Sequence, residues 1–547
     1  MAPPEEAAPV HGRRPRVTHR IEVDMELSDG WWTAHGGYAA RVLSALAAHP
    51  HRAAVRWRRH TVSAGEFAVS VGETARVLRE LGAGPGRVVG VLTASNSPDM
   101  LRVRYAAHLL GAAVCHIRST KPGTTTGMLP VEAQLRMLLD TRVGVLFADA
   151  EHAERAHALA ESARGRVALA GPAAPESAAG AAAVTAAGWD PHALAVIGFT
   201  SGSTGRPKGI RLSAAAWDNL VSVTGQSFAG EAEPRLLVTT PLSHTVATMA
   251  DAVLAAGGSL VLHEEFEPGA VLRALADHRI THTFMATPHL YQLLDHEPAT
   301  HPDLSSLRQL IYTGSAAAPA RLAEAAERFG PVLVQGYGTS ESGRITFLHP
   351  GDHQDPSLLP TVGRPFPENE IRICAPGSER PMAAGATGEV CVRSPHLMDG
   401  YWADPALSVR TLHRGWYRTG DLGRVDERGC LHLLGRIADV VKTDGVLVHP
   451  SVVEQRILTL PGVAQAAVYG VRDTDLVEHL HAAVVPRPGA QVGAEDVRAH
   501  IAAGLTDAQV PEEVLILDAL PLNAGGKPDL ARLRLAWHSA TPSNTPA

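Results

Sequence analysis

Residues 197–210 read I-G-F-T-S-G-S-T-G-R-P-K-G-I. The segment leading into them, Ala193 to Phe199, is apolar throughout and reads as a buried strand. The strand gives way to Thr200, Ser201, Gly202, Ser203, Thr204 and Gly205, then Arg206, Pro207 and Lys208. Glycines let backbone N–H groups turn toward an anion without Cβ obstruction. The hydroxyls add donors and Lys208 adds a mobile positive charge. That chemistry suits a polyphosphate. The Walker-type loop needs Gly directly before its Lys and a hydroxyl directly after. Pro207 and Gly209 occupy those places, so this is a different phosphate loop.

The 547 residues allow more than one domain, and the 45% apolar content can fill a sizeable core. A net charge of −7 gives no basic excess for nucleic acid. Cys115, Cys374, Cys391 and Cys430 have no metal-type spacing and read as reduced core thiols of a cytoplasmic protein. The stretch from Met1 to Arg20 has no apolar core of a secretory signal, and no run is long enough to span a membrane.

Strand and helix patterns alternate from Thr61 onward: a helix carrying Val71, Ala75 and Leu78, a strand Val88–Leu92, and a helix opened by Asn96-Ser97-Pro98. Alternation of this kind predicts an α/β fold with parallel sheets and helices on their faces. Further strands are expected at 143–147, 236–240, 259–263, 283–285, 309–312 and 332–335. The Ala-rich stretch 151–189 reads as a helix and a loose loop. From Gly388 the pattern shifts to short strands and turns (388–393, 416–419, 423–425, 430–434). Beyond Arg436 a compact α+β unit is expected. The predicted division is a disordered tail 1–16, a large domain 17–436 with a β-rich subdomain, a small mobile domain 437–537 and a tail 538–547.

Four more segments carry chemistry. Residues 312–319 read Y-T-G-S-A-A-A-P, a strand end of the kind that binds ligands in open α/β folds. Residues 335–341 read Q-G-Y-G-T-S-E, residues 416–423 W-Y-R-T-G-D-L-G, and residues 520–529 L-P-L-N-A-G-G-K-P-D. Together with T-S-G-S-T-G-R-P-K-G, and over roughly residues 50–530, the chain closely resembles the adenylate-forming superfamily: acyl-CoA synthetases, aryl acid ligases, peptide-synthetase adenylation domains and luciferases.

The resemblance implies roles residue by residue. Thr200 to Gly205 and Lys208 would cradle the ATP phosphates, with Thr204 also near the metal and the reacting phosphate. Gly314, Ser315 and Ala316 would flank the adenine. Gln335, Gly336, Tyr337, Gly338 and Thr339 would form the nucleotide motif, with Tyr337 stacked on the base and Thr339 on phosphate. Glu341 would hold Mg²⁺, Asp421 the ribose hydroxyls, and Arg436 and Lys442 the nucleotide. Lys527 would be the catalytic lysine. His244, in P-L-S-H, would gate or line the acyl pocket, or else be an ordinary hydrogen-bonded core histidine.

The expected activity is ATP- and Mg²⁺-dependent activation of an oxyanion as its AMP adduct, followed by transfer to a second nucleophile. The default substrate is a small-molecule carboxylic acid, and the acceptor is CoA, a carrier thiol or an arylamine. The alternative is activation of nitrite and coupling to an aromatic amine to give a diazo group. A nucleotide-binding protein without turnover is the reading from another class. Two departures stand out: Ala438 occupies the hinge where the family has Asp or Lys, and residues 115–127 carry Arg118 and Lys121 in a loop with Thr124, Thr125 and Thr126 that could take a second anion.

Overall fold

The computed structural model describes residues 30–117, 129–171, 185–200, 208–298, 301–315, 317–443, 446–473, 477–523 and 527–540, with the backbone alone at Thr200 and 537–540. Ser201, Gly202, Ser203, Thr204, Gly205, Ala316, and the loop carrying Arg118, Lys121 and Thr124 to Thr126 lie outside the described residues.

Two mixed sheets form the large unit. The first is built on parallel strands Ala53–Trp57, Ser259–Leu262, Arg235–Val238, His282–Ala286, Gln309–Thr313 and Leu333–Thr339. Antiparallel strands His60–Ser63 and Gly343–Leu348 flank it. The second has parallel strands Ala168–Ala170, Val143–Ala148, Val88–Leu92, Ala113–His116 and Leu194–Thr200. Antiparallel Lys208–Ser213 and Gly400–Tyr401 complete it. Val88–Leu92 is buried at every residue, as a parallel strand covered on both faces must be.

The helices between the sheets make one continuous core through Leu43, Phe67, Leu101, Tyr105, Val253 and Leu260. The helix Pro98–Leu109 begins where Ser97 caps the Asp99 N–H, with proline at its first position. It is buried nearly all round, and so is its one central charge, Arg104. Arg104 pairs with the fully buried Asp251, which also accepts the Tyr105 hydroxyl at 2.6 Å and the Trp217 indole N–H at 3.0 Å. Three donors surround this carboxylate. Removing one member of such a buried pair costs about 3–5 kcal/mol, because the other charge is left without compensation.

The third sheet is antiparallel: Glu370–Cys374, Gly388–Arg393, Trp416–Val425, Leu412–His413 and Leu431–Arg436. The two strands expected at 416–419 and 423–425 are one ten-residue strand. Gly420 at φ +73° and a register shift between Leu422 and Gly423 absorb the irregularity that reads as a turn. In the 151–189 stretch, helix Ala153–Ser162 is followed by edge strand Ala168–Ala170. Alanines carry little strand preference, so that strand leaves no sequence signal.

Beyond Arg436 the small unit contains hairpin Val441–Thr443/Val446–Val448, helix Pro450–Ile457, and a sheet of Val463–Arg472, Glu478–Pro486 and Glu513–Ile516. Val453, Ile457, Val468, Leu480, Val484 and Ile501 form its core. The last helix, Leu530–Ala540, continues past residue 537, where the sequence reading begins the tail. All four cysteines are free and buried. Among the described residues no helix is long and apolar enough to cross a membrane.

Candidate active site

The carboxyl ends of the first sheet's parallel strands converge on one edge, the place where open α/β folds bind ligands. Three predicted segments leave the sheet there: 241–244 after Arg235–Val238, 314–315 after Gln309–Thr313, and 339–341 after Leu333–Thr339; the segment from 287 onward, after His282–Ala286, joins them.

Just past strand Gln309–Thr313, Gly314 takes φ +102°, and a Cβ built on it would stand 3.5 Å from Lys527 Cε. The small unit thus delivers Lys527 onto the adenine segment expected from the sequence. Asn523 shapes the turn that carries it: its N–H donates to Lys527 O at 2.7 Å, and its Oδ1 accepts from the Lys527 N–H at 3.3 Å. Lys527 remains solvent-accessible at the cleft mouth, while protein packs closely around the rest of its side chain. That crowding, and then the nearby Arg436 charge, lower its pKa; Asp421 and Glu341 oppose the shift. Ser315 is fixed by Thr287, whose hydroxyl donates to Ser315 O at 3.1 Å and Thr313 O at 3.3 Å.

Strand Leu333–Thr339 supplies the next groups. Gln335 is buried and accepts from the Tyr312 hydroxyl at 3.2 Å. Gly336 follows it. Gly338 lies so close to Gly343 that a Cβ would sit 2.3 Å from its carbonyl oxygen, which explains the glycine. The Tyr337 hydroxyl donates to Asp421 Oδ2 at 2.6 Å, and Arg436 Nε lies 2.8 Å from Asp421 Oδ1. Burial first, and then the Asp421 charge, hold the Tyr337 phenol well above its ordinary pKa. Thr339 Oγ1 accepts from the Ser342 N–H at 3.2 Å and shares a hydrogen bond with the Ser342 hydroxyl at 2.9 Å.

Glu341 Oε1 accepts from the Tyr401 hydroxyl at 3.1 Å, and its backbone carbonyl accepts from Met398 N–H at 2.7 Å. Lys208 Nζ sits 5.9 Å from the Tyr401 ring centroid. The segment expected to cradle phosphate is bracketed by two antiparallel strands: Thr200 pairs with Lys208 across Leu194–Thr200 and Lys208–Ser213. Gly400–Tyr401 pairs with Ile210 and Arg211 on the far side of Lys208–Ser213, so Tyr401 joins these strands to the Glu341 segment. Sequence reasoning did not single out Tyr401 or Thr287, whose partners are remote in sequence.

His244 is half-buried and its N–H donates to Pro241 O at 3.0 Å. Lys442 is the outlier. Its side chain is exposed on the hairpin of the small unit, and its N–H donates to Glu478 Oε2 at 3.0 Å. Among the described residues no group of three or more His, Cys, Asp or Glu side chains could hold a metal by itself.

The AMP-binding enzyme model matches residues 43–402, and the model of the AMP-binding enzyme C-terminal domain matches residues 452–527. The chain belongs to the AMP-binding enzyme family. This adenylate-forming chain is 32% identical over 529 residues to the medium/long-chain-fatty-acid–CoA ligase FadD8 of Mycobacterium tuberculosis, covering 92% of this chain and 91% of that one. It is 33% identical over 494 residues to a feruloyl-CoA synthase of an Amycolatopsis species, covering 87% and 94%. The amide bond synthetase McbA from Marinactinospora thermotolerans superposes with a TM-score of 0.80 at 36% identity, covering 91% of this chain and 99% of McbA. Its large and small units have the architecture of adenylate-forming enzymes, and it is an AMP-forming ligase of this family.

Proposed function

We propose that this enzyme activates a small carboxylic acid with ATP and transfers the acyl group to an amine. The position of Lys527 carries the first half. A cation beside Gly314, near enough to feel the Asp421 and Glu341 charges, would offset charge on an α-phosphate under attack by a carboxylate. The carboxylate oxygen bonds to the α-phosphorus and pyrophosphate leaves. The amine then attacks the acyl carbon, AMP departs, and the amine proton passes to solvent.

Asp421 is the ribose acceptor in this reading. Its oxygens keep lone pairs beyond those used by Tyr337 and Arg436, since a carboxylate offers about four acceptor positions. Glu341 fits Mg²⁺ as a single hard oxygen donor, because Mg²⁺ takes one or two carboxylates with substrate phosphates and water. Bound there, the ion would neutralise phosphate charge. Lys442 has no assigned part in the nucleotide site.

Ala438 supports the amine as acceptor. It lies exposed on the single turn Ile437–Asp439 that joins the third sheet to the small unit. It cannot form the charged contacts of an Asp or Lys. The likeness to an amide bond synthetase points the same way.

The deciding experiment supplies benzoate, ferulate, hexanoate and nitrite separately with Mg·ATP, each with CoA, with an arylamine or with neither. The expected products are amides from a carboxylic acid and an amine, with little acyl-CoA. Robust acyl-CoA formation would replace the acceptor, and diazo product from nitrite would replace the acid.

A further inference from the structure

We infer that Asn96 and Arg104 are positioning residues for the loop that ends in His244: the two side chains grip both sides of the Leu242 peptide and set where Ser243 and His244 stand at the cleft edge. The inference rests on the reading of this loop as the acid-facing wall.

Leu242 lies four residues beyond the end of strand Arg235–Val238, in the turn that follows it, and it is fully buried. A buried peptide needs partners for its N–H and its C=O. Neither comes from a strand. The Leu242 N–H donates to Asn96 Oδ1 at 2.9 Å, and the Leu242 C=O accepts from Arg104 Nη1 at 3.4 Å. Asn96 reaches across from the other sheet: it sits in the turn after Val88–Leu92, with no exposed surface and φ +52°. Its Nδ2 donates to His263 O at 2.7 Å, just after strand Ser259–Leu262. One amide thus ties together the carboxyl ends of three strands from two sheets. Its orientation is fixed by the partners, because a flipped amide would set an NH₂ against an N–H and an oxygen against a carbonyl.

Arg104 is fixed in turn. Its second nitrogen pairs with Asp251, and Asp251 stands on helix Val246–Ala255, which starts two residues after His244. The loop is therefore clamped at Leu242 and anchored again at the helix that follows. His244 occupies the short span between those holds. Both side chains are fully buried and hold the Leu242 peptide, so their part is to position the loop.

Asn96→Gly separates the clamp from the backbone, because glycine accepts the left-handed conformation without strain. In the full-length enzyme, hydrogen–deuterium exchange should show the segment 241–245, whose exchangeable amides are those of 242–245, losing protection by at least roughly tenfold, with strand Ser259–Leu262 unchanged. In ATP–pyrophosphate exchange with benzoate, ferulate and hexanoate as probes, KM for each acid that is used should rise roughly fivefold to tenfold, the scale of one lost hydrogen bond, with KM for ATP within about twofold. Asn96→Asp retains the acceptor for Leu242 and loses the donor to His263, so it should fall between Asn96→Gly and the wild type. It carries the test if the glycine variant does not fold. Unchanged protection at 241–245 would overturn the clamp. Lost protection with unchanged KM for every acid used, or equal losses for acid and ATP, would overturn the positioning role while leaving the clamp. If the wild type uses none of the acids, the functional reading fails and the exchange data still decide the clamp.

Discussion

Tyr337 and Asp421, 84 residues apart in sequence, meet in a 2.6 Å hydrogen bond that joins the first sheet to the third. The contact fixes the carboxylate proposed for the ribose, with Arg436 on its other oxygen. Tyr337→Phe keeps the ring for stacking and removes only this bond. A hydrogen bond to a charged group contributes about 1.5–3 kcal/mol. KM for ATP should therefore rise on the order of tenfold or more in pyrophosphate exchange, with KM for the acid nearly unchanged. Equal rises for both substrates would refute the assignment.

Lys527→Ala should lower the adenylation rate on the order of 10²-fold or more while ATP still binds. The wild-type rate should also carry an alkaline limb. Lys527 works protonated, and its pKa in the fold is below the ordinary lysine value, chiefly through burial. Activity is then complete below that lowered pKa and falls as pH rises through it, earlier than a solvated lysine would allow. A rate that stays flat up to the ordinary lysine range would contradict this placement.

Glu341→Gln should raise the Mg²⁺ concentration needed for half-maximal exchange by about tenfold, since an amide oxygen lacks net charge. Saturating Mg²⁺ should restore part of the activity. Tyr401→Phe, which removes the phenol bound to Glu341, should produce a smaller shift in the same direction.

Glu454, on helix Pro450–Ile457, accepts from the Val468 N–H at 2.8 Å, and burial pushes its pKa up to about 7, with Asp439 adding to the shift. The fold thus favours the protonated acid. Its cost is absent below the unfolded value near 4.5, grows as pH rises, and is complete above about 7. Glu454→Gln should stabilise the small unit at pH 8 by on the order of 1–2 kcal/mol, because partial solvent access reduces the full effect. The gain should vanish near pH 4.5. Thermal melts at the two pH values check both signs, and a gain that is the same at both would rule the explanation out.

Much of this was legible from local pattern. Val88–Leu92 is a continuous apolar strand and Gly388–Arg393 centres on the apolar Val390–Val392, both with turn residues on each side, and their observed bounds match the sequence reading. The segments 312–319 and 335–341 stood out because each places Gly and hydroxyl groups within a few residues of a strand end. What escaped was long-range. Tyr401 lies in a two-residue strand whose partner is near residue 210, so no periodicity marks it. Arg104 and Asp251 sit 147 residues apart on different helices, and only the packing of one helix on the other shows them as a pair. Strand Val463–Arg472 takes in the polar Gln465 and Arg472 because ladder pairing with Glu478–Pro486 carries its less apolar ends.

The central claim is that this chain adenylates a carboxylic acid, and return of labelled pyrophosphate into ATP measures that step alone. The account predicts label in ATP only when a carboxylic acid is present, with no requirement for CoA or amine, and loss of that signal in Lys527→Ala. No exchange with any carboxylic acid, exchange supported by nitrite alone, or full exchange in Lys527→Ala would contradict it.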